Sequence, residues 1–447
     1  MKQQINEADI IVIGGGAAGM MAAGRGAEQG ARVLLLEKTD GCGKKILISG
    51  KSRCNLTNAA PLQEFLAMYG TNGCFLHGVF HRFFRDELLA FFARHNLETK
   101  TERGGRIFPV SDNARDVVQV FTGYLDASKV RVRYNTRVTE IRKSSQGLFA
   151  VRTPEGLFNA PAVILATGGS SWPGTGSTGD GYVISKKMGH ALVPLRPALV
   201  PLIVEEIELA QAMQGVSLRN VRATAFQGKA KDIDSRLTPQ INYGRGEKKS
   251  THLPVIESRF GEMLFTHFGL GGPIILLMSL AVNQALEKGD VSLLVDLKPA
   301  LRREQLGSRL QKDFDNFGKR KISGIIKEYL PAKMIEPFIG LTGISAEKPA
   351  HQITAREKEQ IVEQLKALRF NIKSSLPLAN AIVTAGGVSL HEINPRTMES
   401  LLIPGLYFCG EVIDVDADTG GYNLQAAFST GYVAGESAAR QIKAGGR

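Results

Sequence analysis

Residues Asp9 to Gly19 read DIIVIGGGAAG, an apolar run that leads straight into Gly14-x-Gly16-x-x-Gly19. Glycines at this spacing can hold a dinucleotide. Gly14 makes the tight turn, Gly16 lets the backbone approach a pyrophosphate, and Gly19 lets the next helix pack against the strand. A helix that opens on Ala17 and Ala18 aims free N–H groups and its positive dipole end at the phosphates. A second apolar run, Val33 to Leu36, ends on Glu37, placed to accept hydrogen bonds from the adenosine ribose, with Lys38 beside it. The glycines alone are a weak signal; strand, glycines, helix and acid in this order are a specific one.

Three later segments turn the dinucleotide toward a flavin. Ala166-Thr167-Gly168-Gly169 closes an apolar strand, as where a chain passes close to a dinucleotide and returns. Gly410-Glu411 follows another predicted strand, and its acid can reach the ribityl or pyrophosphate region. Gly421-Tyr422-Asn423-Leu424 then opens a long helix, whose N-terminus can stabilise the charge of a reduced flavin. A nicotinamide-only dehydrogenase has no need of this C-terminal return. A single strong fingerprint argues against a stable second dinucleotide site and leaves NAD(P)H as a transient reductant of bound FAD.

The elements that must position these residues read as a β-α-β start, with a helix over 17–29 and a strand over 32–37. Helices are predicted over 75–95 and 113–126. Short alternating runs over 130–159 suggest a small meander, and 162–166 reads as a buried strand. From about residue 196 the texture changes to short strand-like runs among turns: 199–204, 221–226, 253–256, 263–266 and 291–296. The stretch 298–349 reads as helical and charge-rich. The expected class is α/β: a Rossmann-like, glutathione-reductase-like FAD-binding domain over 1–195 and 376–447. It is interrupted at 196–375 by a β-barrel-like part (about 196–298 and 350–375) and a helical part (about 299–349).

Composition narrows the function classes. At 447 residues the chain is long enough for two or three domains. No apolar stretch reaches the roughly 18–20 residues of a membrane span, and 273–282 reads as a buried helix. Cys42, Cys54, Cys74 and Cys409 form no C-x-x-C pair and no metal-like cluster with histidines, so no metal is expected and a reduced cytoplasm is. The net charge of +12 suits either a basic enzyme offset by nucleotide phosphates or a polyanionic partner such as RNA. The run Lys319-Arg320-Lys321, near Arg302, Arg303 and Lys312, reads as a solvated helix face or a phosphate-binding one. Oligomeric state is not legible.

The loop Gly43 to Asn58, GKKILISGKSRCNLTN, resembles the signature of the HI0933-like family of bacterial FAD-dependent flavoproteins. Further matches are Glu102 to Pro109, Ala166 through Gly181, Phe265 to Gly269 and Gly410 through Gln425, so the resemblance spans essentially the whole chain. It implies an FAD domain interrupted by a barrel and a helical subdomain, with Lys44, Lys45, Ser52, Arg53 and Asn55 near the cofactor. Ser52 departs from the pattern, where glycine is expected, and its Cβ restricts φ. Family activities include generic oxidoreductases, aminoacetone-oxidase-type and bile-acid-pathway reductases. The family is also similar to enzymes that reduce uridine to dihydrouridine in large-subunit ribosomal RNA.

Reduction of uridine needs a hydride from flavin N5 and a proton from a general acid, with the base out of its stack. Cys54 is the first proton-donor candidate, if its thiol is exposed; a small side chain buried under FAD is the alternative reading. His267 is the second, because histidine titrates near neutrality, although as a core or helix-start histidine it needs no catalytic role. Tyr422 can stack on a base, donate a proton, or simply pack. Lys44, Lys45 and Arg53 can neutralise FAD phosphates or grip RNA, and Arg103 and Arg106 can meet a substrate anion. Three functions remain open: reduction of an activated C=C bond, with ribosomal RNA uridine preferred; oxidoreduction of a small metabolite; and a flavin-bearing RNA- or ribosome-binding protein without turnover.

Overall fold

The computed structural model describes residues 6–233 and 254–445. The chain divides into two compact units, Met1–Arg196 with Leu378–Arg447, and Pro197–Pro377.

The first unit is built on a five-stranded parallel sheet, ordered Leu406–Phe408, Ala162–Leu165, Ile10–Ile13, Val33–Leu36, Arg131–Arg133. The three middle strands are apolar at every position and fully buried, as strands covered on both faces must be. Helices Ala17–Glu28 and Tyr422–Gly445 pack together on this sheet. Their contact depends on small residues: a Cβ on Gly431 would meet the Ala18 backbone and one on Gly435 the Ala22 backbone. Ile13, Leu165 and Phe408 end neighbouring or next-neighbouring strands. The turns after them, at Gly14, Thr167 and Gly410, therefore gather at one sheet edge, where doubly wound folds bind ligands.

Two readings of this unit are corrected. Residues 75–95 form two helices, Gly73–Arg82 and Arg85–Arg94, not one. The Glu87 carboxylate accepts from the Phe84 N–H (2.9 Å), which starts a second helix at that point. Arg131–Arg133 does not join a meander; it pairs in parallel with Val33–Leu36 as the sheet's edge strand. The four-stranded sheet beside it holds Glu140–Lys143, Phe149–Thr153, Gly156–Ala160 and Asn6–Glu7.

The second unit is a closed six-stranded antiparallel barrel: Leu202–Val204, Gly269–Gly271, Val255–Phe265, Ser217–Gln227, Val291–Asp296 and Leu368–Ser375. The apolar helix Pro273–Leu286 packs against all six strands, with Ile275, Met278 and Val282 fully buried. The separate strands expected at 253–256 and 263–266 are one strand, Val255–Phe265, and Leu253 lies outside the described residues. Four helices follow, Arg303–Asn316, Ile322–Ile326, Ala332–Thr342 and Ala355–Lys366. The last of these occupies a stretch expected to be barrel-like. Thr354 caps it, its hydroxyl accepting from the Glu357 N–H (3.2 Å) while Glu357 accepts from the Thr354 N–H (2.8 Å). Among the described residues no helix is long and apolar enough to cross a membrane.

Candidate active site

The three glycines of the first turn do separate physical jobs. Gly14 has φ +103°, and a Cβ there would lie 2.5 Å from the Ala166 carbonyl oxygen. Gly19 sits so close to the Gly14 carbonyl that a Cβ would overlap it. Both glycines are therefore needed for the turn itself. Gly16 is different: its backbone is extended (φ −79°), and a Cβ there would find no atom within 4 Å. It stands at the N-cap of Ala17–Glu28 with no side chain capping the helix. Space and unclaimed N–H groups thus coincide where a pyrophosphate would be held.

Glu37 is buried, and its two oxygens accept from the N–H groups of Gly15 (2.6 Å) and Thr39 (2.8 Å). The acid thus locks the glycine turn to the end of its own strand. Lys38 donates to Thr178 (2.5 Å) and Asp180 (2.9 Å), tying the same corner to the segment after Gly168 and Gly169.

The cations expected to meet phosphates are already engaged by carboxylates. Lys44 pairs with Asp40 at 2.5 Å. Lys45 bonds Glu411 at 2.6 Å and the Ser171 hydroxyl at 2.7 Å. Arg53 pairs with Glu102 and with Asp112 (2.9 Å), and its guanidinium lies 4.1 Å over the Phe108 ring. Glu411 is held further by the Thr384 N–H (2.8 Å) and the Ser171 hydroxyl (3.1 Å). It is therefore the centre of a polar network joining four distant segments. In this structure these three cations are tied to neighbouring carboxylates.

The signature loop is backbone-strained. Gly50, Lys51, Ser52 and Cys54 all have positive φ, from 56° to 63°. Ser52 therefore holds the conformation that favours glycine, which is the physical content of its departure from the family pattern. Cys54 is fully buried, and burial pushes its thiol up to about 12. Of the two readings of Cys54, exposed acid or small buried side chain, its burial favours the second. Beyond it, the Asn58 amide donates to the carbonyls of Gly104 (3.1 Å) and Gly420 (3.0 Å). Gly421, at φ +98°, lies on the Thr57 backbone with no room for a Cβ. The loop and the start of the C-terminal helix are thereby brought together across more than 300 residues of chain.

At that helix start Tyr422 is buried edge-on against Phe65 (4.6 Å between centroids), and its carbonyl accepts from the Tyr69 hydroxyl at 2.7 Å. Its burial favours the packing role among the three raised for it. Asn423 clasps Ala417, accepting from its N–H (3.0 Å) and donating to its carbonyl (2.8 Å). Leu424 packs into the core, so neither side chain is presented as a free polar contact. His267 lies in the barrel unit, exposed in the tight turn between two strands, with its ring against Phe268 (4.8 Å). It is neither a helix-start nor a core histidine.

Sequence reasoning missed the carboxylates of Asp414, Asp416 and Asp418 that precede this helix. Burial first, and then the charges of Asp414, Asp418 and Glu411, push Asp416 up to about 6. Asp414 is also raised by burial, although Asn72 donates to it at 3.1 Å. The alternating D-V-D-A-D just before Gly420 was the available signal. Also unforeseen were four buried side-chain atoms that lack any hydrogen-bond partner: Asn55 Oδ1, Thr57 Oγ1, Thr167 Oγ1 and Gln425 Oε1. They are half of all such atoms among the described residues, and all lie in the segments around this site. Buried polar atoms without partners are costly, so their concentration here marks a place for a polar ligand.

A family model described as HI0933-like protein Rossmann domain matches residues 8–437. The chain belongs to the HI0933-like family. It is accordingly a flavin-dependent oxidoreductase. It is 33% identical to a 3-dehydro-bile acid delta(4,6)-reductase of Clostridium scindens, over 96% of this chain and 98% of that protein. It is 29% identical to a ribosomal RNA dihydrouridine synthase of Escherichia coli, over 95% and 96%. Among solved structures, a 3-ketosteroid delta1-dehydrogenase from Sterolibacterium denitrificans shares the fold at TM-score 0.51 and 14% identity, covering 98% of this chain and 100% of that one. The FAD of the HI0933-like fold fits the residues present: open space at Gly16, an uncapped helix start, and four orphaned polar atoms around them.

Proposed function

We propose that this HI0933-like enzyme reduces a C=C bond conjugated to a carbonyl, with uridine in large-subunit ribosomal RNA as the preferred substrate and NAD(P)H as the transient reductant. Bound FAD supplies, once reduced, a hydride for one alkene carbon. The chain's own part is to hold the cofactor at Gly14–Gly19 and to shield the ring end with the strained signature loop. It also keeps a protonatable carboxyl nearby in Asp416, whose elevated pKa suits a donor at neutral pH.

The observation that carries the RNA reading is a cationic rim beside the signature loop. Lys51, Arg103 and Arg106 are exposed and have no ion-pair partner among the described residues. The turn bearing the two arginines is tied to Asn58 of the signature loop through the Gly104 carbonyl. Unneutralised cations there suit a polyanion and make its binding salt-dependent. The higher identity to the bile-acid reductase favours a second reading, a cyclic enone metabolite reduced by the same chemistry. Both relatives' names describe the saturation of a ring C=C bond, which supports the shared reaction class.

Dihydrouridine content of ribosomal RNA from a deletion strain decides between the two. Loss of one dihydrouridine, restored by the gene, is expected. Unchanged content would remove RNA as the substrate.

A further inference from the structure

Helix Gly73–Arg82 buries Phe75, Leu76, Val79 and Phe80 and lies against the C-terminal helix Tyr422–Gly445. At its end Arg82 pairs with Glu436 and donates to the Arg396 carbonyl (2.9 Å). The helix is thus anchored along its apolar face and at its last turn. Its exposed residues are Cys74, His77 and His81. With 3.6 residues per turn these three fall on one stripe about 60° wide. A solvated helix face ordinarily carries charged residues, whereas this one presents only a thiol and two imidazoles.

The two histidines stand one helical turn apart, their ring centroids separated by 4.5 Å and their planes inclined at 62°. They are the only two histidines within ten residues of one another in the sequence. Among the described residues neither ring has a hydrogen-bond or ion-pair partner, so both are available as ligands. Zinc–nitrogen bonds of ~2.0–2.1 Å at a tetrahedral angle place the centres of two imidazoles sharing one ion roughly 5 Å apart. The rings are already close to that spacing, and small side-chain rotations complete it without movement of the anchored backbone. Cys74 turns away, its thiol donating to the Thr71 carbonyl at 3.3 Å. Among the described residues no three His, Cys, Asp or Glu side chains gather closely enough to hold an ion. The helix therefore supplies two ligands and leaves the remaining positions to water.

We propose that His77 and His81 form an exposed binding site for a divalent transition-metal ion, Zn²⁺ in the first instance, that is independent of the flavin. Imidazole nitrogen suits Zn²⁺, Ni²⁺ and Cu²⁺, whereas Mg²⁺ and Ca²⁺ take oxygen ligands. The donors are brought together by helical spacing alone, with no C-x-x-C pair involved.

FAD-loaded full-length protein, stripped of metal with a chelator and dialysed, is titrated calorimetrically with ZnCl₂ and separately with MgCl₂. One saturable equivalent of Zn²⁺ is expected, and no binding of Mg²⁺. Loss of a ligand's hydrogen-bond partner already costs metal affinity about tenfold to a hundredfold, so His77→Ala and His81→Ala should each weaken Zn²⁺ binding at least tenfold. Both side chains are exposed, so flavin content and the denaturation midpoint should stay at their parent values. Cys74→Ser should bind Zn²⁺ as tightly as the parent. Absence of saturable Zn²⁺ binding, or binding undiminished in the doubly substituted protein, would overturn the site. Loss of binding in Cys74→Ser would overturn the two-imidazole ligand set.

Discussion

Replacing Asp416 by asparagine is expected to make the apoprotein more stable at pH 8 and no more stable at pH 4. In the folded chain this carboxyl is raised from its ordinary 3.8 to about 6, by burial and by the charges of Asp414, Asp418 and Glu411. The unfolded chain frees it of both. Between about pH 4 and pH 6 the folded state therefore holds a proton that the unfolded state has released. Stability falls as pH rises through that window and is level above it. At ~1.36 kcal/mol per pH unit, the gap sets a ceiling of ~3 kcal/mol, and the side chain's partial exposure reduces this to about 1–2 kcal/mol. Asparagine keeps the shape and removes the charge, so it recovers that amount above pH 6 and nothing near pH 4. Urea titrations of both proteins across this range measure the difference, with Trp172 emission reporting the FAD-binding unit. Asp414 is coupled to Asp416, so the gain above pH 6 includes relief of the repulsion between them. A gain that is the same at pH 4 and pH 8, or a loss at pH 8, would refute the unpaired, buried-acid account.

Gly16→Val should leave apoprotein stability within about 0.5 kcal/mol, because its side chain enters open space, while abolishing co-purified flavin; a flavin-replete variant would contradict this. Gly19→Ala should instead cost about 1–3 kcal/mol of apoprotein stability, read by the same denaturation, because its Cβ meets the Gly14 carbonyl. A thiol reagent should titrate one cysteine, Cys74, in the native protein and four after denaturation, and Cys54→Ala should retain turnover. Rapid native labelling of Cys54 would restore it as an acid candidate. Ser52→Gly should stabilise the protein by about 0.5–1 kcal/mol, since relief of the left-handed backbone outweighs glycine's entropy cost; a lower denaturation midpoint would count against strain at φ +63°.

Elements whose cause is local were legible in the chain. The apolar strands at Ile10–Ile13, Val33–Leu36 and Ala162–Leu165 carry their burial in four consecutive apolar residues. The break at Phe84 was not legible, because the residues around it are helix-compatible and the interruption comes from the reach of Glu87 back to the Phe84 N–H. The edge placement of Arg131–Arg133 was equally hidden, since three alternating polar and apolar residues suit a meander as well as a parallel edge. At the site, Gly14 and Gly19 read correctly as positions with no room for a Cβ, whereas the carboxylate partners of Lys45 and Arg53 did not follow from residue type.

The sequence by itself determined that a turn of Gly14-x-Gly16-x-x-Gly19 joins a buried strand to a helix, because tolerance of the positive φ at Gly14 and the absence of a Cβ are properties of glycine itself. Only the tertiary structure decided what Lys45, Arg53 and Cys54 do. Lys45 meets Glu411 from 366 residues away, Arg53 meets Glu102 and Asp112, and Cys54 is sealed from solvent. A charge or a thiol takes its chemistry from its neighbours, and those neighbours are brought by chain segments that no local pattern specifies.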